Sequence, residues 1–168
     1  MSEKMKIIVI DDDHGACLFV KKIIEKAGDF SVITTNDPKT AEDLCKKEKP
    51  NLIILDNVMP GLKGAHLVKV LRQNPNTKKT PIIMLTGKGE MVYTVEKETF
   101  EWQPNSPAVK QRGELEEQKN PRSLPDAYGV DYYIPKPVNT RRLLEIVNDI
   151  LVVKKEKEDL DDWKQHNS

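Results

Sequence analysis

Asp56 closes the apolar run Leu52-Ile53-Ile54-Leu55 and is followed by Asn57-Val58-Met59-Pro60-Gly61. Three other apolar runs end in reactive side chains. Ile7 to Ile10 leads into Asp11-Asp12-Asp13, Ile82 to Leu85 into Thr86-Gly87, and Tyr132-Tyr133-Ile134-Pro135 into Lys136-Pro137. Carboxylates, a hydroxyl and an ammonium at successive strand ends are the equipment of phosphoryl transfer. Crowded carboxylates repel; at ~4 Å two unit charges cost about 4 kcal/mol at an effective dielectric of 20. A divalent cation removes that cost, and all-oxygen ligation suits Mg²⁺. Asp56 is then placed to attack a phosphoryl group whose oxygens the cation and Lys136 neutralise. The Thr86 hydroxyl can donate to the product phosphate, and Gly87 leaves room for its backbone N–H to do likewise.

Short apolar runs bounded by turn residues read as buried parallel strands, and ligands of open α/β sheets sit beyond their carboxyl ends. Between the strands, Ala16, Phe19, Val20, Ile23 and Ala27 form one helical stripe that stops at Gly28. Phe30 to Thr35 alternates as a second strand. Asp37-Pro38 supplies an N-cap and first-turn proline for a helix to about Lys47, with Ala41, Leu44 and Cys45 inward. Gly61 and Gly64 bracket a turn, and Leu67, Val68 and Leu71 stripe a third helix. A fifth strand over Asp131 to Ile134 precedes a helix capped by Asn139 and striped by Leu143, Val147, Ile150 and Leu151. This alternation predicts a doubly wound α/β fold around a five-stranded parallel sheet.

Regularity fails between about Lys88 and Pro125, where four prolines and many charges lie; a hairpin of Met91–Val95 with Thr99–Trp102 is the one regular feature expected there. So long a connection in a compact domain is either disordered or functional. The polar 154–168 stretch reads as a charged extension. The 27 basic and 27 acidic residues balance, so no general field favours nucleic acid or membrane. No stretch approaches a membrane span, and the N-terminus lacks a signal-peptide core, so a cytoplasmic location is expected. Cys17 and Cys45 read as half-buried reduced thiols, and His14, His66 and His166 show no metal spacing.

Taken together, Val9-Ile10-Asp11-Asp12-Asp13, Leu55-Asp56-Asn57-Val58-Met59-Pro60-Gly61, Leu85-Thr86-Gly87 and Tyr133-Ile134-Pro135-Lys136-Pro137 resemble the receiver domain of two-component response regulators. The resemblance covers residues 5 to 87 and 126 to 153. It implies a flavodoxin-like sheet of order 2-1-3-4-5 and a receiver over 1–153; the fifteen or so residues after the last helix stripe are too few for a DNA-binding domain, so a stand-alone, chemotaxis-regulator-like receiver with no output domain is expected. Asp56 would be the phosphoacceptor, supplied by a sensor histidine kinase or phosphotransfer protein. Asp11, Asp12, Asp56 and the carbonyl of Val58 would hold Mg²⁺, while Asp13 matches no usual ligand. Lys136, Thr86 and Gly87 would serve the phosphoryl group. Thr86 and Tyr133 would shift together on phosphorylation and alter the face formed by the fourth helix, fifth strand and fifth helix. The Lys136–Pro137 bond would be cis.

Thr86 and Lys136 lie 50 positions apart, a wider gap than the family has. The 88–125 insertion therefore replaces or interrupts the fourth helix and offers a docking element for an output protein or a second copy of the chain. Such a receiver is not an enzyme beyond its self-catalysed phosphoryl transfer and slow autodephosphorylation. Slowness follows from Val58 and Lys88, neither of which orients a water as an amide would. Two other functions compete. A receiver-like scaffold would bind partners without phosphorylation, although the acidic pocket is complete. A haloacid-dehalogenase-type phosphatase would use Asp11 and Asp13, which leaves Asp56 unexplained. A plain helix cap needs one oxygen, and the Asp11–Asp13 run offers three carboxylates.

Overall fold

A computed structural model describes residues 4–87 and 129–152. In chain order the elements are β1 (Met5–Ile10), α1 (His14–Ala27), β2 (Phe30–Thr35), α2 (Pro38–Glu48) and β3 (Leu52–Asp56). There follow β4 (Val58–Met59), β5 (Leu62–Lys63), α3 (Gly64–Gln73), β6 (Ile82–Thr86), β7 (Tyr132–Pro135) and a helix over 140–152, here α4. Five strands make one parallel sheet in the order β2-β1-β3-β6-β7, the anticipated 2-1-3-4-5 once the small antiparallel β4-β5 hairpin is left out. That hairpin, expected only as a turn, is closed by Gly61 at φ +79°. The anticipated 91–102 hairpin, the 88–125 insertion and the 154–168 extension lie outside the described residues.

The unbroken apolar runs are explained by two covered faces. Ile7 and Val9 of β1, Leu52 and Ile54 of β3, and Ile83 and Leu85 of β6 pack under α1 and α4. Their alternates Ile8, Ile10, Ile53, Leu55, Ile82 and Met84 pack under α2 and α3. Period two along each strand thus feeds two separate cores. Among the described residues no helix is long and apolar enough to cross a membrane.

The caps follow the sequence closely. Asp37 accepts from the N–H of Lys39 at 2.9 Å with Pro38 in the first turn, and Asn139 accepts from the N–H of Arg142 at 3.1 Å. The first helix departs from expectation. Its buried row is Cys17, Val20 and Ile24, while Phe19 is 50% exposed and Ala27 is exposed. The i, i+3, i+4 pattern also fits a row one position over; in the observed rotation Cys17, Val20 and Ile24 join the core, and the Cys17 thiol donates to the carbonyl of Asp11 at 3.3 Å. Gly28 ends the helix in extended rather than left-handed backbone; the left-handed cap is Lys49 after α2.

Both cysteines are free and fully buried, not half-buried. Burial pushes the Cys45 thiol from 9.0 up to about 12. Native protein should therefore resist Ellman's reagent at neutral pH and react at both thiols once unfolded. The folded thiol titrates above the unfolded one, so its contribution to stability is complete below pH 9 and is lost as pH rises towards 12. Urea unfolding at pH 10 should show about 1 kcal/mol less stability from this group than at pH 8, and a Cys45→Ala variant should lack that loss. An equal loss in the alanine variant would remove Cys45 as its source.

Candidate phosphoryl-transfer site

β1 and β3 are neighbours with Ile10 opposite Leu55, so the residue after β1 stands beside the last residue of β3. Asp11 and Asp56 are thereby brought together at the carboxyl rim, 1% and 4% exposed, with the exposed Asp12 next to them. Each of the three offers a carboxylate oxygen, and these oxygens lie within 4.8 Å of one another. Lys136, just beyond β7, reaches across the end of β6. Its ammonium lies 2.7 Å from Asp56 Oδ1 and 2.9 Å from Asp11 Oδ2. The sequence placed this cation at the rim, but its double pairing was not anticipated. Burial pulls the Lys136 pKa down, yet its bonds to Asp56 and Asp11 outweigh that and raise it above the ordinary lysine value.

The triple aspartate divides its labour. Asp13 Oδ1 accepts from the N–H groups of Gly15 at 2.7 Å and Ala16 at 3.1 Å, capping α1. Asp11 Oδ1 accepts from the N–H of Asp13 at 3.0 Å, so the cap also orients the pocket carboxylate. This use of Asp13 deprives the dehalogenase-type alternative of its acid.

Sequence reasoning passed over Asn57 and the role of Gly64. Asn57 is 4% exposed; its N–H donates to the carbonyl of Leu85 at 3.0 Å and its carbonyl accepts from the N–H of Gly64 at 2.8 Å. A Cβ on Gly64 would lie 2.6 Å from the carbonyl oxygen of Asp56 and 2.9 Å from the Cα of Asn57. Helix α3 therefore starts against the backbone that carries Asp56, and only glycine permits the approach. The signal available in the sequence was the polar residue directly continuing a buried strand.

Thr86 ends β6 between β3 and β7, half-buried, and its carbonyl accepts from the Lys136 N–H at 2.6 Å. Gly87 follows at the same rim. Tyr133 lies in β7 opposite Met84 and packs, half-buried, on the core cluster containing Leu55 and Met59. Val58 is 55% exposed in β4, and the Lys136–Pro137 bond is cis. Three oxygen donors with two of their carboxylates buried, and one ammonium to offset three charges, fit a hard divalent cation such as Mg²⁺.

A doubly wound parallel sheet with an acidic pocket at its carboxyl rim, and a lysine reaching in across β6 from the end of β7, is the arrangement of a receiver-type module. A family model for the response regulator receiver domain matches residues 7–101, and the chain belongs to that family. It is 32% identical over 146 residues to the phosphate regulon transcriptional regulatory protein PhoB of Rhizobium meliloti, covering 87% of this chain and 52% of that protein. It is 33% identical to the transcriptional regulatory protein CpxR of Escherichia coli, covering 87% and 49%. The chain thus spans about half the length of these curated relatives. The solved chemotaxis response regulator CheY4 of Vibrio cholerae superposes with a TM-score of 0.62 at 25% identity, covering 88% of this chain and 99% of that one.

Proposed function

We propose that this receiver accepts a phosphoryl group on Asp56 from a sensor histidine kinase or a phosphotransfer protein. The observation that supports it is the meeting of Asp56, Asp11, Asp12 and Lys136 at one rim. Asp11, Asp12, Asp56 and the Val58 carbonyl would hold Mg²⁺, which neutralises phosphoryl oxygens when bound. Asp56 is the nucleophile: its carboxylate oxygen forms the new P–O bond as the donor's bond to phosphorus breaks. Lys136 steadies the charge on the transferred group, the Thr86 hydroxyl and Gly87 N–H donate to it, and Asn57 and Gly64 hold the backbone of the nucleophile. Thr86 and Tyr133, two register positions apart on adjacent strands, would then shift together and alter the surface formed by β7 and α4 together with the chain preceding them. We further read 1–153 as the receiver, with 88–125 docking an output protein or a second copy and 154–168 a charged extension.

Purified protein exposed to acetyl phosphate with Mg²⁺ should gain one phosphoryl mass, mapped to the peptide carrying Asp56, and EDTA should abolish the gain. A folded protein that takes no label would leave the scaffold reading in its place, and labelling that persists in EDTA would remove the metal from the reaction. The label should also decay slowly once the donor is removed. Val58 projects to solvent beside the pocket with an aliphatic side chain that cannot hold a water; Lys88, the other residue expected to matter, lies outside the described residues. Val58→Asn should accelerate decay by about tenfold, read by intact mass over time. An unchanged decay rate would mean that this position does not limit hydrolysis.

A further inference from the structure

Among the described residues Lys136 stands at the end of an edge strand of only four residues, so few ladder hydrogen bonds fix its register on β6. A one-residue slip would turn the buried Ile134 outward and is excluded by the core. A two-residue slip keeps the faces and would carry Lys136 about 7 Å away from the carboxylates. The register therefore needs another anchor.

That anchor lies at the opposite end of β7. The Asp131 N–H donates to the carbonyl of Ile82 at 3.0 Å, and the Ile82 N–H donates back to Asp131 Oδ2 at 2.8 Å. Arg72, on the last turn of α3, closes round the same point. Its Nη2 donates to Asp131 Oδ2 at 3.0 Å, and Nε and Nη2 donate to the carbonyl of Gly129 at 2.8 and 2.5 Å. Nη1 reaches the carbonyl of Thr80 at 2.7 Å and, at 3.3 Å, those of Thr77 and Lys78. Gly129 sits at φ +84°, and a Cβ there would fall 2.9 Å from Arg72 Cγ and Nε, so the chain is wrapped tightly on the guanidinium.

We propose that Arg72 and Asp131 are positioning residues for phosphoryl transfer: they fix the register of β7 and so deliver Lys136, about 16 Å further along the strand, to Asp56 and Asp11. The proposal rests on the phosphoacceptor reading above. It differs from a plain loop staple in what it spares, because the three carboxylates come from β1 and β3, which Arg72 and Asp131 do not hold in register. Loss of the anchor should remove the contribution of Lys136 without weakening metal binding.

The test is a double-mutant cycle of Arg72→Met with Lys136→Met, with Asp131→Asn as the milder variant should Arg72→Met fail to fold. Acetyl-phosphate labelling, Mg²⁺ calorimetry and amide exchange at Lys136, whose N–H is bonded to Thr86, are read on each. Arg72→Met should label about 100-fold more slowly without weaker Mg²⁺ binding. The double variant should be no slower than Lys136→Met alone, and the Lys136 amide should exchange about tenfold faster. Asp131→Asn should move the same way by less. Effects that multiply in the cycle, or Mg²⁺ affinity that falls along with the rate, overturn the proposal. Should the parent protein take no phosphoryl group, the phosphoacceptor reading fails separately, and the anchor is then judged on exchange: unchanged protection of the Lys136 amide in both Arg72→Met and Asp131→Asn overturns it.

Discussion

Asp56→Asn will take no phosphoryl group from acetyl phosphate yet will unfold at nearly the same urea concentration as the parent protein. The amide keeps the shape of the carboxylate but has no anionic oxygen to attack phosphorus. Stability is nearly preserved because two effects oppose. Removing the charge relieves repulsion from Asp11 and Asp12, whose oxygens lie within 4.8 Å. It also forfeits the ion pair with Lys136 at 2.7 Å, which the ammonium partly recovers by staying on Asp11 at 2.9 Å. We expect the net change to stay within about 1 kcal/mol in the absence of metal. Mg²⁺ affinity should fall by about tenfold or more, since an anionic donor is lost. Intact mass, urea titration and calorimetry read the three quantities. Labelling of the asparagine variant at the parent's rate would place the acceptor elsewhere.

Lys136→Met should separate the reaction from metal binding in the opposite sense. The methionine fills the space but offers no charge to the phosphoryl oxygens, so labelling should slow by about 100-fold. Mg²⁺ should bind more tightly, because Asp11 and Asp56 lose the ammonium that now shares them. Without metal, the variant should be less stable by about 2 kcal/mol. That is less than a fully buried pair would cost, because the lysine side chain is 32% exposed. Saturating Mg²⁺ should restore most of the loss by mass action. A variant that labels at the parent's rate would remove Lys136 from the chemistry, and weaker Mg²⁺ binding would contradict the shared-carboxylate geometry.

Strand positions and the acidic pocket were legible in the sequence because buried parallel strands announce themselves as apolar runs, and each run here ends in a polar residue. Cap positions were legible for a similar reason: Asp37 and Asn139 need only local geometry. Rotation of α1 was not, since a 3.6-residue period cannot distinguish the row through Ala16, Phe19 and Ile23 from the row through Cys17 and Ile24, and Val20 belongs to both. Nor could the sequence reveal contacts between segments far apart in the chain. The Lys136 bond to Asp11, the seating of Gly64 on Asp56 and the grip of Arg72 on Gly129 all depend on register across the sheet. Asp13 shows the converse case, in which a cluster of like residues hid one whose task is the helix cap.

Helix α3 joins two places that the sheet keeps apart. Its first residue rests on the backbone carbonyl of Asp56, and its ninth, Arg72, grips Asp131 at the foot of β7. The top of β7 returns to Asp56 through the Lys136 ammonium. Asp56, Gly64, Arg72, Asp131 and Lys136 are thus stations on a closed mechanical ring, with a helix about 15 Å long and a strand as its two rigid struts. The strand end that carries the nucleophile and the foot of β7 are thereby joined by two routes, one along the helix and one through the Lys136 ammonium.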